Sequence, residues 1–72
     1  MFYTYILKST EYDKFYTGYT ENLARRLSEH NQKLNTYSKR YAPWEIKYFE
    51  MFGAQKDAVE REKYFKSAAG RR

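Results

Sequence analysis

The stretch FYTGYTENLARRLSEHN, Phe15 to Asn31, changes period half-way along. Its first part, Phe15 to Thr20, is aromatic and β-branched around a single glycine and reads as a strand. From Glu21 to Lys33 the apolar spacing lengthens, with Leu23, Leu27, His30 and Leu34 forming one face of a helix. Thr20 or Asn22 can cap that helix, and Glu21 is favourably placed in its first turn. A strand that leads straight into a helix constrains everything on either side of it.

Upstream, Phe2 to Lys8 (FYTYILK) is a second aromatic and β-branched run, separated from Phe15 by the polar, turn-forming Thr10 to Lys14. The two runs make a β-hairpin. Downstream, Asn35 to Pro43 is polar, basic and aperiodic, which is a loop. Trp44 to Phe52 (WEIKYFEMF) alternates as a third strand, with Trp44, Ile46 and Tyr48 expected on one side and Glu45 and Lys47 on the other. After Gly53, Ala54 to Ala69 is rich in good helix formers, and Gly70 is a natural stop. The order ββαβα defines an α+β domain with a small antiparallel sheet.

Seventy-two residues make one small domain, spanning 1–72, near the size at which a single core becomes marginal. With no cysteine, neither a disulfide nor a thiolate metal cage is available, and a reducing cytoplasm is the expected setting. The core must therefore come from packing, for which aromatics at 21% of the chain are the means. Phe2 to Leu7 is too short to span a membrane and lacks the flanks of a signal peptide. The net charge of +5 favours a polyanion as partner, although charge alone is a weak indicator.

Three polar or small residues stand where the pattern calls for others. Glu62 falls inside the apolar stripe Ala58, Phe65 and Ala69 of the second helix. A carboxylate there needs a cation, whether an ordinary Lys or Arg partner or a bound metal. His30 lies in the stripe of the first helix, one turn after Arg26. Two groups that can both be cationic make sense around an anion; the plainer reading is a neutral histidine at the core edge, bonded to backbone, with Arg26 over an aromatic ring. Gly18, two residues after Tyr16 and on the same sheet face, marks a place where something comes close to the strand.

Taken together, Tyr3-Thr4-Tyr5, Tyr16-Thr17-Gly18, Leu23-Ala24-Arg25-Arg26-Leu27 with His30, and Glu60-Arg61-Glu62-Lys63-Tyr64 resemble the GIY-YIG nuclease superfamily. The resemblance covers nearly the whole chain and points to small single-domain bacterial members, related to the catalytic domain of the excision-repair nuclease. It implies a three-stranded antiparallel sheet flanked by helices and metal-dependent cleavage of nucleic acid, with DNA the expected substrate and repair one setting for it. By the same resemblance Tyr5 and Tyr16 border the water and scissile phosphate, Arg26 is the helix arginine, His30 the site histidine, and Glu62 holds Mg²⁺ or Mn²⁺. Tyr37, and with less support Tyr41, would approach the same site. The first motif lacks the family's glycine, and Thr17 replaces its usual Ile or Val. No residue after the second helix matches the asparagine many relatives carry, for which Asn31 and Asn35 are the available substitutes.

The chemistry calls for these residue types. Attack by water on a phosphodiester needs a proton acceptor, charge neutralisation at phosphorus and help for the leaving oxygen. A free tyrosine has a pKa of ~10, so Tyr5 serves as base only if a cation lowers that value or if it relays the proton to His30. The leading expectation is a weakly specific endonuclease whose selectivity comes from substrate shape or a protein partner. The alternatives are a catalytically inactive nucleic-acid-binding module and an interaction domain without nucleic acid. Lys39, Arg40, Arg61, Arg71 and Arg72 are the expected phosphate contacts.

Overall fold

The computed structural model describes residues 1–32 and 38–67. The expectations for Leu34, Asn35, Tyr37, Ala69, Gly70, Arg71 and Arg72 lie outside the described residues. Strands β1 (Phe2–Ser9) and β2 (Phe15–Thr20) form the hairpin. Helix α1 (Leu23–Asn31), a short 3₁₀ turn (Ser38–Arg40), strand β3 (Trp44–Phe52) and helix α2 (Gln55–Lys66) follow in that order. The architecture is the expected ββαβα, with β1 at the centre of an antiparallel sheet of order β2-β1-β3.

Helix α1 begins later than Glu21 because Asn22, in extended conformation, takes the cap: its side chain accepts the Arg25 N–H at 3.0 Å. Thr20 instead ends β2, its hydroxyl oxygen accepting the Asn22 N–H at 3.2 Å. The hairpin turn is held by Ser9, whose hydroxyl accepts the Glu11 and Tyr12 N–H groups and donates to the Tyr41 carbonyl at 2.7 Å. That last bond ties the turn to the segment leading into β3.

A β-bulge corrects the simple alternation expected of β3. Leu7 pairs with Ile46 but Ile6 pairs with Tyr48, so Lys47 is the extra residue. Trp44 and Ile46 therefore share a sheet face with Leu7 and Tyr5, whereas Tyr48 moves to the opposite face with Glu50. The first face carries the core. Tyr5, Leu7 and Trp44 are buried there, with Tyr16, Leu23, Leu27 and Ile46 packed around them. Asn31 at the end of α1 grips the Trp44 backbone from both sides, accepting its N–H at 2.5 Å and donating to its carbonyl at 3.1 Å.

The second face receives α2. Thr4, fully buried, donates its hydroxyl to the Ala58 carbonyl at 2.7 Å. Tyr48 meets the edge of Phe65, and Arg61 reaches Glu50. No buried side-chain polar atom among the described residues lacks a partner. None of the described helices is long and apolar enough to cross a membrane.

Candidate active site

Tyr5 lies directly opposite Gly18 across the β1–β2 ladder. A Cβ on Gly18 would come within 2.6 Å of the Tyr5 hydroxyl and 2.8 Å of the ring carbon bearing it. The glycine is thus a matter of space: the phenol lies across β2 because nothing projects from that position. Tyr16, two residues back on the same strand, stacks at 6.4 Å from Tyr5 with its ring tilted by 25°.

His30 is fully buried behind this pair, its ring centre 4.6 Å from that of Tyr16. Its Nε2 is 3.1 Å from the Tyr5 hydroxyl, and its Nδ1 is 2.6 Å from Ser38 Oγ. Burial, helped by the nearby Arg26 guanidinium, lowers the imidazole pKa to about 4. His30 is therefore neutral at pH 7, as the plainer sequence reading held, but it bonds two side chains rather than backbone. Burial likewise raises the Tyr5 pKa to about 12, outweighing the opposing effect of Arg26. Tyr5 is a neutral phenol.

Arg26 Nε donates to the Tyr5 hydroxyl at 3.4 Å, and its Nη1 reaches Glu29 at 3.0 Å. The other Glu29 oxygen lies 3.7 Å from Arg25. An arginine cannot accept, so the acceptor for the buried Tyr5 proton is His30 Nε2. That assigns the remaining imidazole proton to Nδ1, donating to Ser38.

Tyr5, Tyr16, Gly18, Arg26, Glu29 and Glu62 line one open cleft of about 420 Å³. Glu62 enters it from α2 with its side chain 17% exposed and Lys66 Nζ at 3.1 Å, so an ordinary ion pair is present too. Lys66 also lies over the Tyr16 ring, 5.9 Å from its centre. Four of the five expected catalytic residues thus line the cleft, while His30 stands one layer behind and touches it through Tyr5.

The expected phosphate contacts are placed differently. Arg61 is on the opposite sheet face, bonded to both oxygens of Glu50 at 2.8 and 3.1 Å and lying over the Tyr64 and Phe65 rings. Lys39 and Arg40 are exposed on the 3₁₀ turn, Arg40 lying over Tyr41. None of Lys39, Arg40, Tyr41 and Arg61 lines the cleft, and Asn31 is engaged with Trp44. Glu29 and Ser38 were missed in the sequence. Glu29 was findable from its helical spacing to Arg26 and Arg25, whereas Ser38 sits in an aperiodic loop that carries no such signal.

Among the described residues no group of three or more His, Cys, Asp or Glu side chains could hold a metal. The donor set in the cleft fits a hard divalent cation bound through one carboxylate, since Mg²⁺ commonly takes one or two from protein and keeps waters and phosphate oxygens. Three carboxylates line the cleft: Glu29 is engaged by Arg25 and Arg26, Glu62 by Lys66, and Glu21 lies at the same cleft.

The family model described as the GIY-YIG catalytic domain matches residues 1–72. The chain belongs to the GIY-YIG family. It is 39% identical over 67 residues to a UPF0213 protein of Clostridium perfringens, covering 92% of this chain and 71% of that protein. A UPF0213 protein of Pediococcus pentosaceus is 39% identical over 66 residues, or 90% of this chain and 68% of the relative. The solution NMR structure of a UPF0213 protein from Bacillus halodurans superposes with a TM-score of 0.54 at 29% identity, covering 96% of this chain and 77% of that one. GIY-YIG domains form a nuclease superfamily, and this chain carries such a domain.

Proposed function

We propose that this GIY-YIG domain is a divalent-metal-dependent endonuclease that hydrolyses phosphodiester bonds, with DNA as its substrate and weak sequence specificity. The observation that carries the reading is the Tyr5–His30 hydrogen bond at 3.1 Å, set behind a cleft that Arg26 and Glu62 share. Tyr5 takes a proton from the attacking water while passing its own to His30 Nε2, so no phenolate has to form beforehand. The water oxygen bonds to phosphorus, the bond to the 3′ oxygen breaks, and that oxygen is protonated from solvent. A neutral imidazole is the right recipient, and a phosphate anion nearby favours its protonation. Arg26 exchanges its contact with Glu29 for a phosphate oxygen, stabilising the added charge by charge-assisted hydrogen bonds. Mg²⁺ or Mn²⁺ at Glu62 would supply Lewis-acid stabilisation of the leaving 3′ oxygen.

Lys39 and Arg40, exposed on the 3₁₀ turn, are suited to steer the phosphate backbone, with Tyr37, Arg71 and Arg72 as further contacts. Selectivity would then rest on substrate shape or on a protein partner, and a chain without cysteine suits a reducing cytoplasm. A second reading, a binding module without activity, is favoured by the internal pairing of Glu62 with Lys66 and of Arg26 with Glu29. Plasmid nicking with and without Mg²⁺ or Mn²⁺ separates the two. Metal-dependent nicking that Glu62→Gln abolishes while DNA binding persists supports the enzyme; the same metal-independent background from both proteins sinks it.

A further inference from the structure

We propose that Ser38 is a positioning residue that holds His30 as its Nδ1–H tautomer and keeps the Nε2 lone pair aimed at the Tyr5 hydroxyl. Its catalytic consequence rests on the proton path above, while the tautomer rests on hydrogen bonds alone. Ser38 is fully buried, and its hydroxyl oxygen stands 2.6 Å from His30 Nδ1. Neutral imidazole in water prefers its proton on Nε2, the form that would present a donor to Tyr5 where an acceptor is needed. A hydroxyl can donate or accept, but with Tyr5 donating to Nε2 the Ser38 oxygen is left to accept from Nδ1–H, and the two contacts together reverse that preference.

Ser38 is fixed. Its carbonyl accepts the Trp44 indole N–H at 2.8 Å and the Tyr41 N–H at 3.1 Å. Trp44 is gripped in turn by Asn31, the chain neighbour of His30, at 2.5 Å and 3.1 Å. His30, Ser38, Trp44 and Asn31 thus close a ring in which the side-chain amide of the residue next to the histidine holds Trp44, whose indole holds the residue that orients the imidazole. This is the logic of a third group orienting a base, here served by a hydroxyl from a loop rather than a carboxylate.

The test combines imidazole ¹⁵N spectra at pH 7 with single-turnover cleavage of a labelled DNA duplex and its binding affinity. In the wild type the spectrum should show the proton on Nδ1. Ser38→Ala should move it towards Nε2 and slow the cleavage step by roughly 100-fold, the scale of one proton-transfer contribution, with DNA affinity unchanged. Ser38→Thr, which keeps the hydroxyl, should restore the Nδ1–H signature. A wild-type proton on Nε2, or an unchanged tautomer in a folded Ser38→Ala, overturns the proposal. If the tautomer moves as expected and the wild type does not cleave DNA, the role of Ser38 is supported and the nuclease reading is the one that falls.

Discussion

On one face of the sheet Tyr5, His30 and Arg26 meet between strand and helix; on the other, Glu50, Arg61 and Tyr48 do the same. Both groups satisfy their hydrogen bonds and both border an open hollow, Arg61 lining one of about 390 Å³ with Phe52, Asp57, Glu60 and Tyr64, so openness does not separate them. Arg61 meets a carboxylate through two parallel bonds and is covered by two rings, which leaves it little to offer a ligand. Arg26 meets Tyr5 at 3.4 Å and one oxygen of Glu29, contacts that a phosphate can replace. Both arginines are half-buried, and what distinguishes them is how fully their partners complement the guanidinium.

The sharpest way to break that comparison is to remove the cleft arginine. Arg26→Ala should lower the cleavage rate at saturating DNA by roughly 10²–10³, the usual loss when one preorganised charge-stabilising donor is removed. A rate unchanged from wild type would show that Arg26 does not stabilise the transferred phosphate, whatever else the domain does.

Next in size is a pH effect belonging to the His30 face. The folded pKa lies near 4 against an ordinary value of 6.5, so between those values the unfolded chain binds more protons than the folded one. Stability should be intact above pH 6.5 and fall by roughly 2–3 kcal/mol as the pH drops to 4. Urea unfolding at half-unit steps reads this, and His30→Gln should flatten the slope over that window. Tyr5 contributes the alkaline counterpart: with its pKa raised to about 12, stability is lost as pH rises from 10 through that value. An unchanged slope in His30→Gln would assign the acid limb to other groups.

Gly18 offers a third test. Its Cβ would stand 2.6 Å from the Tyr5 hydroxyl, and Tyr5 is held by His30 and Arg26 and cannot swing aside freely. Gly18→Ala should cost about 1–3 kcal/mol, as overpacking in a filled interior does, measured by chemical denaturation. Gly53→Ala, with no atom within 4 Å of the added carbon, should cost far less.

Most of the fold was legible because period-two and helical spacing switch cleanly at Thr20, Trp44 and Gly53. What alternation could not show was the bulge at Lys47, since an inserted residue leaves composition unchanged while turning Tyr48 to the other face. At the site, Glu62 and His30 were legible as polar residues in apolar stripes. That His30 would sit behind Tyr5 was not, because helical periodicity gives a direction and no depth. That Arg61 would pair with Glu50 was not legible for a related reason: Glu50 lies on a strand, and pairing between a helix and a sheet leaves no regular spacing in the sequence.

The smallest expected effect tests whether the two faces are separate. Glu50→Gln removes the charge that Arg61 grips and that Tyr48 donates to. Those two partners hold the Glu50 carboxyl below its ordinary pKa, so the pair contributes above that range and fades as the pH falls beneath it. Because Arg61 and Glu50 are 38% and 23% exposed, solvent screens the pair and its contribution is modest. Calorimetry should show a fall in Tm smaller than that of Gly18→Ala, and cleavage should proceed at the wild-type rate. A deep loss of cleavage in folded Glu50→Gln would mean that the two faces are coupled, with α2 carrying both Arg61, which grips Glu50, and its neighbour Glu62. The cleft and the α2 face would then have to be treated as one coupled unit.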